Sequence, residues 1–186
     1  MARVSTLIAQ QLPEGPARTI FETVERDYGA FGNMLGVLAH RPASIEHIYG
    51  LLLQFAADGN ISKRHLEIVL VTASRANECS YCVSHHAPKL VAQHVSPQAV
   101  ERILETDVPG FDALDTLVRD YALAVTHQRV GDSLVTRLRE HFSESQVVEL
   151  TLRAALCAFF ARFNEALDVQ LEPEYVAAAA QLEQAA

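Results

Sequence analysis

Apolar residues recur at intervals of three and four positions along most of this chain, which is the spacing of one face of an α-helix. One such run extends from Ile45 to Ala56, and another extends from Leu114 to Val125. Turn-forming residues separate the runs: Asp58-Gly59-Asn60, Ser96-Pro97, Pro109-Gly110 and Gly131-Asp132. The pattern predicts an all-α fold of about ten helices.

Several expected helix starts carry a side chain that can cap free backbone N–H groups. Ser62 precedes a helical run, Ser96 precedes Pro97 at a first-turn position, and Ser143 stands three residues before Gln146 as in a capping box. The segment Leu66 to Ala73 is ambiguous, because its β-branched residues also suit a buried strand.

The size and charge of the chain limit its organisation and its partners. Its 186 residues, 49% of them hydrophobic, are enough for one domain spanning residues 1–186 with a sizeable core. A net charge of -8 disfavours nucleic acid and anionic membranes as partners. The apolar runs are too short to cross a membrane, and the first residues do not form a secretory signal, so a cytoplasmic protein is expected.

Two of the three cysteines form a Cys-x-x-Cys pair, Cys79 and Cys82, which indicates redox or metal chemistry in a reducing compartment. On a helix, Cys79 and Cys82 lie about 60° apart around the axis, and His86 falls about 20° and 40° from them. His85 lies about 120° from Cys79. The geometry therefore favours His86 as the imidazole that serves both sulfurs.

Thiol chemistry at neutral pH requires activation, since an ordinary thiol with a pKa near 8.5 is mostly protonated. A helix N-terminus supplies positive potential near Cys79, whereas His86 is closer to Cys82 at the i,i+4 spacing. Glu67, from the preceding segment, is placed to orient that imidazole as a carboxylate does in a catalytic triad. The residues alone leave open which sulfur attacks first.

The spacing of Glu67, Cys79, Cys82 and His86, with ECSYCVSHH from Glu78, resembles the signature of the AhpD-type alkylhydroperoxidases in the carboxymuconolactone decarboxylase-like superfamily. The resemblance extends less specifically from about Ser62 to Leu90, and the core of the thiol site is expected at about residues 62–95. RFNEALDVQLEP, at residues 162–173, is similar to a later helix and turn of that family.

The resemblance implies an all-helical trimer or hexamer that reduces hydroperoxides without haem, flavin or metal and takes electrons from a dithiol or a disulfide reductase. It implies that Cys82 attacks the peroxide, that Cys79 resolves the product, and that His86 and Glu67 relay protons. Tyr81 departs from the best-known members, which have a histidine between the cysteines. The lactone decarboxylase branch generally lacks the cysteine pair, which disfavours that activity.

Four alternatives compete with a peroxidase. The cysteines can be buried core residues, zinc ligands together with His86 or His85, part of a thioredoxin-like fold, or the disulfide of a non-enzymatic redox sensor. The helical pattern after His94 opposes a thioredoxin-like fold. Cys157, within AALCAFFA, is expected to be a buried structural thiol, and His85 is expected at the surface.

Overall fold

The computed structural model describes residues 2–28 and 31–176. Across these ranges the chain forms ten α-helices and no β-strand, which confirms the predicted all-α fold. In chain order the helices are α1 Pro16–Tyr28, α2 Gly32–Leu38, α3 Pro42–Ser44, α4 Gly50–Asp58, α5 Lys63–Ala76, α6 Ser80–Val91, α7 Pro97–Glu101, α8 Ala113–Thr126, α9 Asp132–Arg139 and α10 Glu144–Leu167. Within the same ranges, no helix has both the length and the apolar character that a membrane crossing requires.

The described residues divide into two compact units. The first comprises residues 2–60 and 164–176, with Phe21, Leu35 and Ile45 among its fully buried side chains. The second comprises residues 61–163 and contains all of the residues to which the sequence assigns chemistry. The expectation of one domain over residues 1–186 stays a prediction.

Helix α5 forms the centre of the second unit, where it packs against α6 and α8. Its Ile68, Val69 and Val71 are fully buried and belong to the main apolar cluster of that unit. A helix with neighbours on several sides needs apolar residues around much of its circumference. This explains why Leu66–Ala73, which lies inside α5, has a sequence that also suits a buried strand.

The predicted caps start their helices as expected. The Oγ atoms of Ser62 and Ser96 each accept a hydrogen bond from the backbone N–H three residues further on, at 3.2 and 3.1 Å. Ser143 and Gln146 form the reciprocal bonds of a capping box, at 2.8 and 3.3 Å. These caps fix where α5, α7 and α10 begin.

Pro88 lies inside α6, which continues beyond it to Val91. Proline lacks an N–H to bond to the carbonyl four residues earlier, but its fixed φ is compatible with a helix. Leu90, which is fully buried in the apolar cluster, anchors the last turn. The helix that carries the thiol site therefore does not end at the proline.

Replacing Asp115 by asparagine is expected to destabilise the second unit by about 2 kcal/mol, because a buried carboxylate loses charged hydrogen bonds. Asp115 is only 1% exposed and accepts hydrogen bonds from Nε and Nη2 of Arg64, the latter at 2.6 Å. Urea unfolding measures the change. The matched control is Glu105→Gln: Glu105 and its partner Arg102 are both about half exposed, and this change is expected to leave the free energy of unfolding close to that of the parent. Equal losses of unfolding free energy for both variants would contradict a stabilising role for the buried Arg64–Asp115 pair.

Candidate thiol site

Cys79 lies in the tight connection between α5 and α6. Its backbone N–H donates to the carbonyl of Ser74 at 3.0 Å, and the N–H of Glu78 donates to the carbonyl of Arg75 at 3.0 Å. Together with the left-handed backbone of Glu78 (φ 55°), these bonds form a Schellman motif that ends α5. The motif holds Cys79 at a fixed distance from the last turn of α5.

Cys79 is also the N-cap of α6, so one residue joins the two helices of the site. It is bonded to Cys82 as a disulfide, with Cα atoms 5.3 Å apart. The Sγ atom of Cys79 accepts a hydrogen bond from the backbone N–H of Cys82 at 3.2 Å. Helix N-termini and N–H donors stabilise negative charge on sulfur, so this arrangement favours a thiolate at Cys79 when the disulfide opens.

His86 and Glu67 form a contact between α6 and α5. Nδ1 of His86 lies 2.9 Å from Oε2 of Glu67, and both side chains are largely shielded from solvent. With the carboxylate accepting from Nδ1–H, the other ring nitrogen, Nε2, is the atom that can accept a proton. The structure thus places the carboxylate of Glu67 against Nδ1 of His86, on the side of the ring away from Nε2.

The four residues predicted from the sequence all lie on α5, on α6 or in the turn between them. Ser80–Val91 is helical, which satisfies the condition for Cys82 and His86 to share a stripe one turn apart. The pairing of Glu67 with His86 could not be derived from periodicity alone, because it depends on how α5 packs against α6.

His85 was expected at the surface, and this expectation is wrong. His85 is fully buried, its Nδ1 donates to the carbonyl of Tyr81 at 2.8 Å, and the two rings pack with centroids 4.5 Å apart. Tyr81, between the cysteines, is itself buried. Tyr81 and His85 are four residues apart and therefore lie on one side of α6. This spacing of the two rings is the sequence feature that could have indicated a buried His85.

The sequence analysis missed Lys89, which lies one turn beyond His86 on α6. Burial lowers the pKa of Lys89, while the negative charge of Glu67 opposes that change. The ammonium group of Lys89 therefore interacts electrostatically with the carboxylate of Glu67. Its spacing of three residues from His86 indicates only weakly that it belongs to the site, since most lysines are exposed to solvent.

Cys157 on α10 is buried, as predicted for a structural thiol. Burial raises the pKa of its thiol to about 12, although a hydrogen bond from Ser74 acts in the opposite direction. A thiol with such a pKa is almost entirely protonated at neutral pH and is a poor nucleophile. Cys157 is therefore a natural internal control for reactions at the Cys79–Cys82 pair.

A zinc site would require the two cysteines as free thiolates. In the disulfide state both sulfurs are bonded to each other. In the part of the chain that the structure describes, no group of three or more His, Cys, Asp and Glu side chains is arranged to hold a metal ion. The arrangement that is present suits thiol–disulfide exchange and proton transfer.

Comparison with known proteins relates this site to a family. Residues 44–128 match the Carboxymuconolactone decarboxylase family. The Uncharacterized protein YnjA of Escherichia coli (strain K12) is 33% identical over 94 residues, which cover 49% of this chain. The matched segment spans only 52% of the length of YnjA.

Solved structures share the fold at lower identity. An uncharacterized peroxidase-related protein with an alkylhydroperoxidase AhpD core, from Ralstonia eutropha JMP134, has a TM-score of 0.78 at 22% identity, with 94% of each chain covered. The debrominase Bmp8 has a TM-score of 0.73 at 21% identity, covering 89% of this chain and 91% of its own. Residues 44–128 thus resemble the carboxymuconolactone decarboxylase family, and the fold is that of the AhpD-like proteins.

Proposed function

We propose that this protein is a thiol-dependent peroxidase that reduces hydroperoxides through Cys79 and Cys82. The observation that carries the proposal is a disulfide-bonded Cys-x-x-Cys pair at the start of α6, beside the contact between His86 of α6 and Glu67 of α5. The elements of such a reaction are a nucleophilic sulfur, a second sulfur to form a disulfide, and a proton carrier. No haem, flavin or metal has a role in the proposed cycle.

In the first step, the Cys82 thiolate attacks the terminal oxygen of the hydroperoxide. An S–O bond forms, the O–O bond breaks, and the alkoxide leaves as an alcohol after taking a proton. His86, one turn from Cys82 and backed by Glu67, first accepts the thiol proton and then returns it to the leaving oxygen. Cys82 ends the step as a sulfenic acid.

In the second step, Cys79 attacks the sulfur of the Cys82 sulfenic acid. The disulfide forms, the S–O bond breaks, and the oxygen leaves as water. The N-cap position suits Cys79 for this role, because the N–H of Cys82 stabilises a thiolate there. Each sulfur thus has its own means of activation: Cys82 has the imidazole, and Cys79 has the helix N-terminus.

A dithiol or a disulfide reductase then restores the pair, and the reducing thiol pools of the cytoplasm suit that requirement. The AhpD-core protein from Ralstonia eutropha is described as peroxidase-related, which supports the proposal, whereas Bmp8 is described as a debrominase. The fold therefore carries more than one chemistry. The cysteine pair and its proton carrier, rather than the fold, support a peroxidase here.

The alternative is a redox sensor that uses the same disulfide to change partner binding. Steady-state consumption of an alkyl hydroperoxide, with dithiothreitol supplied in excess, distinguishes the two. A peroxidase turns over many times per protein molecule, whereas a sensor oxidises once and stops. Alcohol formation limited to one equivalent would contradict the proposal.

We also propose that the protein is a homo-oligomer, which stays a prediction from the family resemblance. Support comes from Val148, Leu152 and Phe159, which lie along one side of α10 and are each exposed by more than a third. Replacing Phe159 by glutamate is expected to shift the protein towards monomers in light scattering after size exclusion. Val130→Glu, at an equally exposed apolar residue outside α10, is the control. An unchanged mass for Phe159→Glu would exclude this face as the contact.

A further inference from the structure

A cleft of about 400 Å³ opens beside the disulfide within the second unit. Its boundaries come from the Schellman turn, from α6 and from α7. Cys79 lines this cleft, whereas Cys82 does not. A volume of this size lies within the range of small-molecule sites. The two cysteines of the disulfide thus differ in their position relative to the cleft, although their exposed fractions are nearly equal, at 7% and 6%.

The cleft has an apolar side and a charged rim. Val83, Ala87 and Val100 provide apolar surface. At the rim, Nη2 of Arg75 pairs with Oε1 of Glu101 at 2.5 Å, and Glu78 adds a second carboxylate next to Cys79. One positive and two negative side chains leave this rim with a net negative charge. Such a surface accepts a neutral, partly apolar dithiol more readily than an anionic one.

From this asymmetry we infer that the cleft is the site where the reducing dithiol enters, and that this dithiol attacks the sulfur of Cys79. The inference rests on the proposed function, since it concerns the step that restores the reduced pair. Thiol–disulfide exchange requires the attacking sulfur to approach in line with the bond that breaks. Of the two cysteines, Cys79 is the one that lines the cleft, and a dithiol bound there is next to it.

The exchange proceeds in two balanced steps. A thiolate of the dithiol bonds to Sγ of Cys79, the bond between Cys79 and Cys82 breaks, and Cys82 leaves as a thiolate that takes a proton. The proton comes from the ionising thiol of the reductant, and His86, at the i,i+4 position from Cys82, is placed to take it up and pass it on. The second thiolate of the reductant then attacks its own mixed-disulfide sulfur and releases Cys79. The reductant leaves as a disulfide, and both cysteines are reduced.

One effect opposes this assignment. The N-cap position stabilises a thiolate at Cys79, which makes Cys79 the better leaving group and favours attack on Cys82. We place access above this effect, because exchange cannot begin until the attacking sulfur comes close to the sulfur that it attacks. The two possibilities predict different covalent intermediates.

The first experiment identifies the attacked sulfur. The protein is oxidised with diamide, so that the result does not depend on peroxidase activity, and is then mixed with the neutral monothiol 2-mercaptoethanol and quenched with acid and N-ethylmaleimide. Trypsin releases residues 76–89, which contain both cysteines, and fragment masses locate each adduct. Mercaptoethanol on Cys79 with maleimide on Cys82 is the expected result. The reverse pattern would overturn the inference.

The second experiment obstructs the cleft. Leu104 lies at its edge and is 42% exposed, so Leu104→Trp adds bulk there without enlarging a buried side chain. Reduction of the diamide-oxidised protein by dithiothreitol is expected to slow by about tenfold or more, because attack depends on close, in-line approach. Disulfide formation by a hydroperoxide is expected to keep its rate. Val130→Trp, at a residue exposed by 41%, is the control.

The outcomes separate the inference from the proposed function. Unchanged reduction by dithiothreitol, or equal slowing of reduction and oxidation in Leu104→Trp, would overturn the role of the cleft. If a hydroperoxide fails to form the disulfide in the parent protein, the proposed function fails, while the reduction measurements on diamide-oxidised protein still test the route of the dithiol.

Discussion

Replacing Cys82 by serine is expected to reduce hydroperoxide turnover by at least about 10³-fold, to the level of the buffer, because a serine hydroxyl does not ionise at neutral pH as a thiol does. Cys79→Ser is expected to behave differently. Its Cys82 still attacks one peroxide, but the sulfenic acid has no second sulfur in the protein to form a disulfide, so without an external thiol the reaction stops after one equivalent at the sulfenic acid. Alcohol formation over time measures both variants, and a dimedone adduct on Cys82 identifies the trapped sulfenic acid.

The matched control for these substitutions is Cys157→Ala. Cys157 is the third cysteine of the chain, and it is buried with a strongly raised pKa, so its loss is expected to leave turnover within about twofold of the parent. A Cys82→Ser protein that consumed peroxide as fast as the parent would show that another group performs the attack. Equal losses in all three variants would indicate a general loss of structure.

Replacing Glu67 by glutamine is expected to slow turnover by about 10²-fold, within the range typical of general acid–base contributions. The amide keeps the size of the side chain but removes the negative charge that accepts from Nδ1 of His86. The imidazole then loses its fixed tautomer and its counter-charge. Turnover at saturating dithiol measures the loss, and Glu67→Asp is expected to recover part of the rate.

The pH dependence distinguishes a relay defect from a structural one. Without the relay, the thiolate of Cys82 must form by ordinary ionisation, so the rate of Glu67→Gln is expected to rise with pH towards the ordinary thiol pKa of about 8.5. The parent, with its relay, is expected to lose less activity as pH falls from that value to 7. Glu149→Gln is the control, since Glu149 is a buried carboxylate that pairs with Arg153 at 3.3 Å outside the proposed site. If Glu67→Gln and Glu149→Gln lost activity in the same way as the pH fell, the proposed proton relay through Glu67 would be contradicted.

Local chemistry made much of the fold predictable. Ser62, Ser96 and Ser143 start helices because a side-chain oxygen satisfies a backbone N–H at each position. The segment Leu66–Ala73 was not decidable, because α5 is buried on several sides and its sequence therefore lacks the polar face that marks a helix. Only tertiary packing distinguishes such a helix from a buried strand.

The thiol site was predictable where it depends on one helix and less so where it depends on two. The shared stripe of Cys82 and His86 follows from helical geometry. The contact of Glu67 with His86 depends on how α5 packs against α6, which periodicity does not give. The Schellman turn carried no sequence signal, because Glu78 occupies the left-handed position that glycine usually takes. The predicted exposure of His85 was wrong because a histidine next to polar residues is usually exposed. Its burial depends on the contact with Tyr81, which is itself buried.

The most direct test of the peroxidase proposal is a single-turnover balance on the reduced protein. The pre-reduced protein is mixed with one equivalent of tert-butyl hydroperoxide without any reductant, and the alcohol and the mass of residues 76–89 are measured together. One alcohol formed for each Cys79–Cys82 disulfide, with Cys157 still a thiol, is the predicted result. Two free thiols at positions 79 and 82 after the peroxide has been consumed would contradict it.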